Sequence, residues 1–153
     1  LSPQPEVAPA SAAPLPHERL KAVAAWLAFG LGAFGAHRFY LRGWRDAWGW
    51  AFPLPTFAGL VGVRRMQDFG VDDRAAWWLL PFLGTTISIA MLSAILIALT
   101  PDDRWHRRWN PGHAPRETGW APVLAAVASL LVGGIVLMGT IAFSIQKAFE
   151  SAL

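Results

Sequence analysis

Uncharged, apolar residues fall into four blocks along the chain, each bounded by polar stretches. Residues 75–100 and 120–146 form the longest. At 26 and 27 residues, with no Asp, Glu, Lys, Arg or His, each is long enough as a helix to cross a hydrocarbon core of about 30 Å with some tilt. Residues 22–36, AVAAWLAFGLGAFGA, are also uncharged but make a helix of only about 22 Å. Lys21 and Arg38 flank that block, and their long side chains extend its effective span by reaching for headgroups. Residues 47–63, AWGWAFPLPTFAGLVGV, contain Pro53 and Pro55, whose missing backbone donors should kink or split a helix there. The pattern therefore predicts an all-α, polytopic membrane protein, most simply with four transmembrane helices, the second broken at Pro53/Pro55. Around these blocks the chain divides into a proline- and alanine-rich arm (1–16), a pair of short spans with their connector (17–74), a second pair of spans (75–146) enclosing a polar loop (101–119), and a tail (147–153). The arm has no apolar period and should be extended; if ordered, it implies a partner surface that holds it.

Composition supports the lipid reading: 54% of the residues are hydrophobic, only 15% are charged, and nine are tryptophan. The absence of cysteine excludes disulfides, thiolate metal sites and cysteine nucleophiles. A net charge of +3, dispersed along the chain, gives no footprint for nucleic acid. Nor does charge orient four spans, because six Lys and Arg residues then lie on one side and seven on the other. A second arrangement makes the first two blocks a re-entrant or interfacial hairpin, which leaves two full spans and sets nine cations against four.

Residues 30–35, GLGAFG, fit G-x-G-x-x-G. The dinucleotide turn of that form needs a strand before the first glycine, a helix after the last and an acidic residue about 20 positions on. Here the glycines lie within an apolar, helix-like block and the basic, aromatic HRFYLRGW follows, so the match is accidental. Glycine in a membrane helix instead admits a second backbone. Ala24, Ala28 and Gly32 recur every four residues on one face, and Gly35 stands where the helix must end and turn. His37 is expected to hydrogen-bond carbonyls freed by that helix end, since a lone histidine makes no metal site. Arg38 suits a lipid phosphate or a buried carbonyl, and Phe39, Tyr40, Trp44, Trp48 and Trp50 suit the headgroup layer.

The run G-x-x-G-x-H-R-F-Y-L, carried by Gly32, Gly35, His37, Arg38, Phe39, Tyr40 and Leu41, resembles the turn of the TM-two domain family, whose name refers to its pair of transmembrane helices. Arg42 departs from the glycine usual in that family, although Gly43 follows at once. The resemblance proper covers residues 20–69, and the second pair of spans is similar to longer proteobacterial members. It implies a multi-pass protein of the bacterial inner membrane with four spans, and it brings no catalytic activity, because the family has no agreed molecular function.

The residues themselves point the same way. Proton relays, ion pathways and intramembrane catalysis need ionisable groups, and the four apolar blocks contain none. Asp102, Asp103, His106 and His113 offer ligand atoms, but arginines interleave them and no spacing is diagnostic of a metal or a haem. No catalytic, cofactor or metal residue is assigned. What remains is packing surface: Ala121, Ala125, Ser129 and Gly133 form a small-residue ridge, facing either the first span or an external partner. Trp105 and Trp109 among Arg107 and Arg108 form an aromatic–basic patch, an interfacial anchor or a docking point for anionic lipid or protein. Two readings follow: a non-enzymatic accessory or assembly subunit beside a larger membrane complex, and an oligomeric transport or lipid-handling protein with its pathway between subunits.

Overall fold

The computed structural model describes residues 17–114 and 116–152. The arm and its expected partner contact lie outside these residues. The described chain is helical, with no strand among the described residues: α1 (Lys21–Leu31), α2 (Ala36–Arg42), α3 (Ala47–Trp50), α4 (Pro53–Phe69), α5 (Arg74–Ala98), α6 (Asp102–Trp109) and α7 (Ala121–Ala152). A 3-10 turn, Gly32–Phe34, joins α1 to α2.

α5 is the axis of the bundle. Asp73 fixes its start, accepting a hydrogen bond from the Ala76 amide at 3.2 Å while Arg65 grips both carboxylate oxygens at 2.7 and 3.1 Å. α7 runs antiparallel along one side of it. Ala126, Gly133, Thr140 and Lys147 recur at seven-residue steps and meet Ala98, Met91, Gly84 and Trp77, which recur at the same step in reverse. Seven residues are close to two turns, so the seam stays on one face for the length of both helices.

α4 packs antiparallel against the first half of α5. Thr56, Gly59 and Gly62, three residues apart, are its buried positions. A Cβ on Gly62 would sit 2.7 Å from Leu79 Cβ and 2.9 Å from the Leu80 amide nitrogen, so the two backbones are nearly in contact. α1 takes the second half of α5: Ala24, Ala25 and Ala28 are fully buried, Ala25 clusters with Ala98 and Ala126, and a Cβ on Gly32 would lie 2.7 Å from Ala90 Cβ.

Two expectations need correction. Pro53 and Pro55 do not break the second helix. They occupy the first turn of α4, where the missing N–H has no intrahelical partner to lose, and the helix then runs unbroken for 17 residues. The interruption precedes them, at the turn between α3 and α4. The first block, secondly, does not continue across: α1 is only 11 residues long and the chain turns back at Gly35. α5 and α7 are the two helices long and apolar enough to cross a membrane, in place of a clear set of four.

Replacing Gly62 with alanine should lower thermal stability in detergent by about 1–3 kcal/mol through overpacking against α5. Gly134→Ala, on an open face of α7 with nothing within 4 Å of a new Cβ, should leave stability unchanged or raise it.

Candidate functional site

The glycine turn and a polar cap at the α1 start bracket an irregular part of the bundle. Gly35 adopts φ +76°, a left-handed conformation that reverses the chain, and a Cβ there would strike the Gly49 carbonyl. α2 and α3 therefore lie back to back. Gly35 meets Gly49, the Phe39 ring fills the space a Gly49 side chain would need, and Arg38 Nε donates to Asp46 Oδ2 at 2.8 Å. Phe39 stacks on Trp44 at 5.1 Å and meets Trp50 edgewise at 5.2 Å. α2 thus carries the chain back toward the start of α1, where the Leu20 amide donates to Tyr40 Oη at 2.9 Å and Leu41 packs with Ala24 and Trp105.

His37 is buried, its ring set perpendicular to Phe52 with centroids 5.6 Å apart, and its Nδ1 has no hydrogen-bond partner. The expected bond to a freed carbonyl is not formed. Gly35 N–H takes the Gly32 carbonyl, and the Thr56 hydroxyl sits at the Ala33 carbonyl. Thr56 is the residue that sequence reasoning missed; its signal was a lone hydroxyl within an apolar block. Arg38 likewise finds Asp46, eight residues on, rather than a lipid phosphate.

At the cap, Lys21 is buried, forms an ion pair with Asp102 and donates to the Thr100 carbonyl at 3.1 Å. Asp102 also accepts from the Thr118 hydroxyl at 2.7 Å and from its amide at 3.2 Å. Burial would push the Asp102 carboxyl up, but the hydrogen bonds from Lys21 and Thr118 outweigh it and hold the group below the usual carboxylate range. Asn110 exchanges two hydrogen bonds with the Arg19 backbone, at 2.7 and 3.0 Å, and Trp105 Nε1 donates to the same Arg19 carbonyl at 2.9 Å. His106 Nε2 accepts from the Arg116 amide at 3.0 Å. Asp102 and His106 are thus committed to structural bonds, and no three His, Asp or Glu side chains gather among the described residues.

The structure divides the other sequence-derived candidates. Trp105 is a core residue at 3% exposure, whereas Trp109 is half-buried beneath Arg19 and Arg108, and Arg107 points outward. Trp44 and Trp48 are exposed. Ala125 and Ser129 of the α7 ridge are fully buried, Gly133 faces Met91, and Ala121 is exposed.

Two apolar helices of spanning length follow the basic and aromatic turn, and together with the family match over that turn they make this a small membrane protein. Residues 17–66, which run from the lead into α1 to the last part of α4, match the TM2 domain family, in agreement with the resemblance carried by the HRFYL run. The match includes none of α5, α6 or α7. No curated protein and no solved structure matches the chain.

Lys21→Met and Asp102→Asn should each cost about 2 kcal/mol, because each strands the other partner, and the double variant should cost less than the sum; chemical unfolding of the four proteins in detergent measures the coupling. Because the Asp102 pKa is lowered in the fold, the stability it contributes is complete above the ordinary carboxylate pKa and declines as pH falls below about 4. Asp102→Asn should flatten that decline.

Proposed function

We propose that this chain is a non-enzymatic packing subunit of the bacterial inner membrane, an accessory or assembly factor acting through helix–helix contact beside larger membrane proteins. One observation carries this reading. Ionisable groups are spent on fastening helix ends, Lys21 to Asp102, Arg38 to Asp46 and Arg65 to Asp73, while broad apolar faces stay uncovered. Leu54, Phe57 and Val61 of α4 and Leu131, Ile135 and Met138 of α7 are all exposed, on different sides of α5. Such faces suit lipid and neighbouring helices, which pack by shape.

The helix directions also favour three crossings over four. α3 with α4, then α5, then α7 cross the bilayer, and α1 with α2 forms a re-entrant hairpin whose irregular tip is covered by α4 and α5. Arg19, Lys21, Arg38, Arg42, Arg45, Arg104, Arg107, Arg108 and Arg116 then share one side, nine cations against the four of Arg64, Arg65, Arg74 and Lys147. The positive-inside rule puts the nine in the cytoplasm.

Reporters fused to the two ends should therefore signal from opposite sides; signals from one side would favour two or four crossings. Purification of the native protein in mild detergent should recover an unrelated membrane complex in fixed ratio. A homo-oligomer running alone would instead favour the transport or lipid-handling reading.

A further inference from the structure

At the end of the bundle opposite the cap, α5 and α7 leave a groove of about 660 Å³ between them. Arg74, at the start of α5, and Lys147, in the last turns of α7, line it with Trp77 and Trp78, and Phe82 and Thr85 line it further along α5. The cap and the glycine turn take no part in it. Its volume falls in the range of small-ligand pockets. From Arg74 to Thr85 is eleven helical steps, about 16 Å, or half the thickness of a hydrocarbon core. The groove is thus charged at a helix end and apolar for the depth of one leaflet.

We propose that this groove binds one anionic phospholipid, with the phosphate at Arg74 and Lys147 and an acyl chain along Phe82 and Thr85. The proposal rests on the chain being embedded in a bilayer. Charge complementarity selects the occupant: Arg74 and Lys147 line the groove, no carboxylate is among its lining residues, and with Lys147 paired to Glu150 the uncompensated charge is that of Arg74. Arg74 has no ion pair among the described residues. Lys147 is paired to Glu150 at 2.6 Å and held 4.3 Å above the Trp77 ring, so it is already fixed at the mouth. Trp77 is itself anchored, its Nε1 donating to the Val71 carbonyl at 2.8 Å. Trp78, 79% exposed, has the amphipathic ring that favours the headgroup layer. A zwitterionic lipid would bring its own cation to a mouth that already carries net positive charge.

The test is native mass spectrometry of the full chain, purified in mild detergent and titrated with phosphatidylglycerol or phosphatidylcholine of equal chain length. Phosphatidylglycerol should bind at one lipid per chain, at least about tenfold more tightly than phosphatidylcholine, a difference of about 1.4 kcal/mol. Arg74→Gln should remove that preference and Arg74→Lys should restore most of it. Thr85→Phe, which fills the groove further along α5 and leaves the charges intact, should weaken both lipids. Arg64→Gln, on the same side but paired with Asp68 away from the groove, should change nothing. Inorganic phosphate should not compete, since it lacks the chain. Equal binding of the two lipids, retention of the preference in Arg74→Gln, undiminished binding of both lipids by Thr85→Phe, or displacement by phosphate alone would overturn the proposal. A chain recovered from membranes without selective lipid removes the groove site only, whereas a chain that leaves the membrane fraction without detergent removes the embedding itself.

Discussion

Helices of membrane-spanning length gain little by exchanging lipid for leucine, so α5 and α7 are held together by dispersion between surfaces close enough to touch, and α4 meets α5 in the same way. α5 is where this happens from several sides. Gly59 and Gly62 of α4 bring that helix against Leu83, Leu79 and Leu80, Gly84 of α5 receives Thr140 of α7, and Gly133 of α7 receives Met91. Glycine is unfavourable inside a helix because of the freedom it loses on ordering. Here that cost is offset at positions where any Cβ would hold the partner away. Remove the close approach and the two ends lose their alignment, because the ion pairs can be made only once the helices lie in register.

The ends are where the chemistry of charge takes over. Asp73 caps α5 and ties Arg65 of α4 to it, while Lys21 and Asp102 tie the start of α1 to the start of α6. The two fastenings sit at opposite ends of α5; between them it meets its neighbours by nonpolar contact, and the hydroxyls there are folded back on their own helices. Ser88, Ser93, Thr140 and Ser144 each donate to the carbonyl four residues earlier. This satisfies the hydroxyls without committing the helix to a polar partner.

Much of this was legible in the sequence. Helical class, the two long apolar helices and the turn at Gly35 follow from uninterrupted apolar runs and from one glycine standing before HRFY. The rest failed for identifiable reasons. Pro53 and Pro55 signal a break only if the helix has already begun, and periodicity could not show that it begins at Pro53 itself. Trp105 resembled a surface anchor because arginines surround it in sequence, yet α6 turns it inward against Ala24 and Leu41. His37 had a plausible acceptor in every freed carbonyl, but Thr56, distant along the chain, reached one first. The pairing of Lys21 with Asp102 depends on the bundle's closure, and no local spacing encodes it.

The hairpin of α1 and α2 carries a consequence for how the protein is made. Its inner face, Ala24 to Gly32, finds its seat on α5, which the ribosome delivers only after α2, α3 and α4. Until then the hairpin leans only on α3, through Gly35 and Gly49, and on α4, through the Thr56 hydroxyl at the Ala33 carbonyl. The seating of α1 is accordingly a long-range step, made only once the α5 it packs on has followed it out of the ribosome, whereas Thr56 of α4 can reach the hairpin tip sooner.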